Sequence, residues 1–284
     1  MTVVVAVKVF DGICLAADSA TTLPLIMPGQ TQATDYQVWN HADKVFHLHR
    51  DLPIGLATWG TANIEAASIA TLAKDLRRRL MGRDPDHVDW ELNSETYTIE
   101  GVADRIVELM FDELLSNTTN TNFTGFLLVG YSSNARHPEA WVIQLTGHAD
   151  RPTPTQLWKE DDSGWWVAGQ PEATTRLFNG YSPDLENELR ALSPPNLLID
   201  LKKVLTDQPR IAVVDSMPFA DALRFAKFCV DTTIGYASFV FGANTVGGAV
   251  DLAGISRHEG FKWIERKHYY PAKLNPRRPH EHDK

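Results

Sequence analysis

Apolar residues run almost unbroken from Val3 to Phe10, with valine predominating. That pattern predicts a strand over residues 2–10, covered on both faces. Asp11-Gly12 is a hairpin-turn pair, and ICLAADS at 13–19 reads as the returning strand. Residues 20–43 hold Pro24, Pro28, Gly29 and several polar side chains, and read as a loop. KVFHLH from Lys44 and PIGLATWG from Pro53 read as another strand pair. The period then changes. Ile64, Ser68, Leu72, Leu76 and Leu80 recur at four-residue spacing, predicting a helix over 61–80 that ends in the solvated basic run 77–79. After a polar connection at 81–98, Ile99, Val102, Ile106 and Met110 share one face of a second helix over 99–115.

The same reading gives strand pairs from FTGFLLVGYS with EAWVIQLTG and from TQLWKEDD with GWWVAG. A short helix follows from Glu172, then a proline- and acid-rich stretch with one helical segment at 197–205, then a long helix over 219–241. GGAVDLAGIS and GFKWIERK form the last hairpin, and the tail from Tyr269 is polar and loose. Strands come in antiparallel pairs, with helices between the groups rather than alternating one for one. The fold class is therefore α+β, with two stacked sheets faced by helices. No repeat or internal boundary interrupts residues 1–268, which read as a single domain followed by the tail at 269–284.

Composition narrows the functional classes. The chain has 284 residues, 43% of them hydrophobic, and a formal net charge of −9. This balance gives no reason to expect nucleic acid or an anionic membrane surface as a partner. No apolar run approaches the ~20 residues needed to span a bilayer. Lys8 and Asp11 interrupt the first apolar run and no basic leader precedes it, so no signal peptide is expected. Two cysteines, Cys14 and Cys229, lie in apolar contexts and read as reduced, buried thiols of a cytoplasmic protein. His41, His47 and His49 lack a well-spaced further ligand, so neither a metal nor an organic cofactor is expected.

The candidate chemistry sits in the first strands. A threonine hydroxyl becomes a nucleophile when a base takes its proton, and a free α-amine on the same residue is one such base. Thr2 qualifies once Met1 is removed. A nearby lysine would lower the pKa of that amine, and a carboxylate would hold the lysine. Asp18 and Lys44 supply the pair.

TVVVAVKVFDGICLAADSATT resembles the start of a mature proteasome-type β-subunit, in the N-terminal nucleophile hydrolase family. DKVFHL resembles that family's catalytic-lysine strand, PIGLATWGTANIEAASIATL the strand, glycine turn and first helix that follow, VAGQPEATTRLF its mid-chain glycine turn, and NTVGGAVDLAGIS the approach to its last strands. The resemblance implies a four-layer α-β-β-α sandwich of two antiparallel sheets that assembles into a homo-oligomeric ring and cuts peptides or unfolded proteins. Thr2 would be the nucleophile, Lys44 would tune its amine, Asp18 would orient Lys44, and the Gly60 N–H would hold the oxyanion. Thr21, Ala42, Phe46, Thr58, Ala62 and Ala66 fall at the positions lining the substrate pocket, which implies an uncharged residue before the cut. Two features depart from the pattern: the supporting mid-chain serine falls at Ala168 or Gln170, and the late Asp-x-x-Ser pair at Ala243 and Val246, leaving Asn244 or Thr245 to hydrogen bond the amine. With the long 20–43 segment, this is closer to divergent bacterial proteasome homologues (Anbu and the betaproteobacterial proteasome homologue). Two alternatives stay open: an enzyme of this fold acting on a small amide, and a catalytically silent assembly subunit.

Overall fold

The computed structural model describes residues 2–25, 35–116, 122–146, 150–192, 194, 203–205 and 211–267. They form a mixed α+β structure around two five-stranded antiparallel sheets. The first sheet contains β1 (Val3–Val9), β2 (Gly12–Ala17), β12 (Gly164–Gly169), β13 (Asp251–Ser256) and β14 (Gly260–Glu265), in the order β12-β1-β2-β13-β14. The second contains β5 (Val45–His47), β6 (Ile54–Gly60), β9 (Phe123–Gly130), β10 (Glu139–Thr146) and β11 (Thr155–Trp158), in the order β11-β10-β9-β6-β5.

Strand alternation sorts the apolar side chains into three clusters. Along β1, Val4 and Ala6 join Ile13, Leu15, Ala57, Trp59, Leu127 and Val129, a cluster drawn from both sheets. Val3, Val5, Val7 and Val9 turn the other way, towards Ala222, Ala226, Cys229 and Val230 of the long helix α5 (Phe219–Phe239). Ile54, Leu56, Phe126 and Leu128 of the second sheet pack with α1 (Ile69–Leu80) and α2 (Ile99–Val107). Every residue of β1 is buried, because both faces of the strand are covered. Lys8 is no exception: it lies on the inter-sheet side, and its ammonium donates to the carbonyls of Lys159 and Glu160. Burial lowers its pKa, against the pull of Asp162, Glu139, Glu160 and Asp161.

Several expectations are corrected. The 20–43 segment includes a small hairpin, β3 (Thr21–Leu25) with β4 (Asp35–Trp39). The first helix begins at Ile69, not at 61. Glu65 takes a left-handed turn (φ 49°) between β7 (Asn63–Ile64) and β8 (Ala67–Ser68), and the Ser68 hydroxyl caps α1 by accepting from the Thr71 N–H. A four-residue apolar spacing does not distinguish a tight hairpin leading into a helix from a longer helix. The connection before α2 holds a 3-10 turn, Pro85–Trp90, with Trp90 buried. Arg79 lies over the Trp90 ring and pairs with Glu113, so this part of the basic run is packed rather than solvated. The second helix is α-helical to Val107 and π-helical over Glu108–Leu115.

β11 and β12 do not pair with each other. β11 joins β10 in the second sheet and β12 joins β1 in the first, so the chain changes sheets across 159–163, where Lys8 holds it. α3 (Glu172–Asn179) and α4 (Pro183–Leu192) follow. The helical segment expected at 197–205 lies outside the described residues except for 203–205, which are helical. The tail at 269–284 also lies outside them. No helix among the described residues is long and apolar enough to cross a membrane.

Candidate active site

Thr2 precedes β1, and Asp18 follows directly on β2, so the hairpin brings the two ends together. Asp18 is fully buried. One carboxylate oxygen accepts from the Val3 N–H at 3.0 Å and from the Lys44 ammonium at 2.6 Å. The other accepts from the N–H groups of Ala20 at 3.1 Å and Gly247 at 3.0 Å. One side chain thus ties the first strand, the exit from the second, the lysine and the loop after α5. That loop is held again where the Ser19 N–H donates to the Gly247 carbonyl and the Ser19 hydroxyl to the Ala249 carbonyl.

Lys44 sits just before β5 and extends its pairing, since the Thr58 N–H donates to the Lys44 carbonyl at 3.0 Å. Its ammonium is buried, and burial lowers its pKa, a shift opposed by Asp18. Strand alternation turns the Gly60 N–H to the same side of β6 as that of Thr58, past the end of β5. Gly60 has φ +93°, and a Cβ there would sit 2.4 Å from the Phe123 carbonyl oxygen. Gly169, paired with Val3, is equally constrained: φ is +82°, and a Cβ would fall 1.8 Å from the Thr2 carbonyl oxygen. The mid-chain glycine turn therefore presses on the backbone of Thr2.

A cavity of about 260 Å³ opens beside these groups. Thr2, Lys44 and Gly60 line it, with Thr21, Ala42, Thr58 and Ala62 from the expected substrate positions. Two expected residues do not. Phe46 is buried in the core under α1 and borders a different cavity, and Ala66 is exposed in the β7–β8 turn. Trp59, Thr61, Ser68, Ile69 and Ala70 complete the wall, with His41 and Asp43 beside Lys44. The late start of α1, which brings Ser68 and Ile69 to the cavity, leaves no periodic signal in the sequence.

At the departing positions, Ala168 and Val246 are buried, Ala243 and Asn244 are exposed, and Thr245 is buried beside a neighbouring cavity with Gln170. A second buried ion pair, Asp251 with Lys267, adjoins the first. Asp251 pairs across to Ala17 in the sheet, and Lys267 also reaches Asp43 at 3.5 Å, so its members neighbour Asp18 and Lys44 along the chain or across the ladder. The β13–β14 hairpin, which sets Leu252 opposite Glu265, brings the two members of that pair together, and the β2–β13 register sets them beside Asp18.

The histidines are otherwise engaged. The His47 ring stacks on Phe261 at 4.3 Å, and His49 Nδ1 accepts from the Asp51 and Leu52 N–H groups. Among the described residues no three His, Cys, Asp or Glu side chains gather as a metal site. No protein-family model and no curated protein sequence matches the chain, so the functional reading rests on this geometry.

Proposed function

We propose that the protein is a threonine-type hydrolase of the N-terminal nucleophile class, with a four-layer α-β-β-α sandwich fold. The single observation that carries this reading is the bonding of Asp18 to both the Val3 N–H and the Lys44 ammonium, beside a cavity lined by Thr2, Lys44 and Gly60. Once Met1 is removed, the α-amine of Thr2 takes the Oγ proton and Oγ adds to the substrate carbonyl. The Gly60 N–H stabilises the oxyanion, an effect of about 3–4 kcal/mol for one such donor. Collapse expels the protonated leaving amine and leaves an ester on Thr2, which water cleaves. Lys44, held by the Asp18 carboxylate, keeps positive charge near the amine and favours its free-base form. This chemistry needs no cofactor and suits a cytoplasmic enzyme.

A peptide is the substrate class implied by the family resemblance. The modest cavity favours a second reading, a small amide, because drug-sized ligands generally occupy roughly 300–1,000 Å³. Self-assembly is supported by apolar side chains left exposed at the end of α5, Phe239, Val240 and Phe241, and on the hairpin, Leu23 and Trp39. The test is a β-lactone or epoxyketone probe followed by peptide mapping. An adduct on Thr2, abolished in Thr2→Ala and reduced in Lys44→Met, supports the reading. Complete retention of Met1 in the intact mass, with no adduct, overturns it in favour of a silent assembly subunit. A peptide library set against small amides separates the two substrate classes.

A further inference from the structure

On the far side of Asp43 lies a second cavity, of about 240 Å³, that the proposed chemistry does not use. Lys74 and Arg77 of α1 line it from one side, three residues apart and so on one helix face. Arg266, just after β14, lines it from the other, its guanidinium held 4.6 Å over the Trp263 ring. The cavity also contains two carboxylates, Asp43 and Asp251, but Lys267 engages both. Lys74, Arg77 and Arg266 have no carboxylate within ion-pair distance among the described residues, whereas Arg78, Arg79 and Lys227 nearby do. His47 Nε2 faces the same lining, buried and without a hydrogen-bond partner among the described residues. Lys74, Arg77 and Arg266 therefore give the lining a surplus of positive charge and of unused donors. The Arg77 pKa is lowered, first by burial and then by Arg83, by Arg266 across the cavity, and by Arg50.

We propose that this cavity binds a small phosphate-type oxyanion, gripped by Arg77 and Arg266 with Lys74 at the rim. Planar guanidinium forks from two elements match a tetrahedral anion with several acceptor oxygens. A dianion would relieve the repulsion among the arginines. The volume admits a phosphate with a small organic body rather than a nucleotide. The site lies at the C-terminal half of α1 and draws on side chains alone. It stands independently of the hydrolase reading.

The test is calorimetric titration of the full chain with inorganic phosphate, at ionic strength held constant with sodium chloride. Saturable one-site binding is expected. Arg77→Gln and Arg266→Gln should each weaken it about tenfold or more, the loss of a charge-assisted contact. Arg78→Gln, whose arginine is paired with Asp84 and lies outside the cavity, should bind as the unaltered protein does. Should either arginine variant fail to fold, Lys74→Gln, at an exposed position, supplies the same readout. No saturable heat, or equal weakening by Arg78→Gln, means an adventitious ion only and overturns the proposal.

Discussion

Asp18 and Lys44 form one ion pair, but removing either partner should have very different consequences. In Lys44→Met the carboxylate loses its cation yet keeps three backbone N–H donors, from Val3, Ala20 and Gly247. Breaking a buried pair typically costs 3–5 kcal/mol, and those three donors hold the loss to the lower end, about 3 kcal/mol. Asp18→Asn orphans the buried lysine, which can partly escape by giving up its proton. It also turns an amide NH2 towards two of the N–H donors. Each of those two buried donors left unsatisfied adds about 1–3 kcal/mol, which on top of about 3 kcal/mol for the broken pair brings the total to roughly 5–9 kcal/mol. That is comparable to the whole stability of many domains, about 5–15 kcal/mol. The assay is urea unfolding followed by tryptophan fluorescence, Trp59 being buried next to the site. Lys44→Met should give a shifted but complete transition, and Asp18→Asn little or no folded baseline. Equal losses, or a larger loss for Lys44→Met, would refute the argument that the carboxylate's main structural task is to hold three backbone segments.

Gly169→Ala should cost well over 3 kcal/mol, because its Cβ meets the Thr2 backbone, while Gly180→Ala, at nearly the same φ (+80°) but with nothing within 4 Å, should cost only the ~1–2 kcal/mol of a left-handed residue; similar melting shifts in the two would show that the Thr2 contact is soft. Burial, then Arg77, lowers the His47 pKa to about 4 from its ordinary 6.5. Between those values the unfolded chain binds a proton that the folded one does not, so stability falls as the pH drops through that window, by about 2–3 kcal/mol. His47→Gln should remove that part of the slope in urea titrations run without phosphate. Burial pushes the Cys14 thiol up to about 12 from its usual 9. The folded state then keeps its proton while the unfolded state ionises, so stability is lost as the pH rises from 9 to 12, by up to roughly 4 kcal/mol. Cys14→Ala should flatten this alkaline limb, and an unchanged limb would show that other groups set it.

Much of the fold is legible along the chain because strand burial repeats every second residue and helix burial every third or fourth. The all-apolar Val3–Val9 reads as a doubly covered strand, and Asp11-Gly12 as its turn, since both signals are local. Thr2, Asp18 and Lys44 stand out by residue type and place, and the hairpin brings the first two together with no long-range information. Non-local contacts lie beyond that reading. Whether β12 pairs with β11 or with β1 depends on which sheet edge is free, and composition does not encode this. The start of α1 depends on Glu65 reversing the chain and Ser68 capping, two events that leave the apolar spacing unchanged. By itself, then, the sequence determined the strands, most helices and the identity of the three central residues, because each follows from neighbours a few positions away. Only the tertiary structure decided that Gly247 completes the Asp18 shell, that Gly169 bears on Thr2, and that Lys74, Arg77 and Arg266 line one cavity. Those contacts join residues far apart in the chain, and burial of both sheet faces, not local preference, selects them.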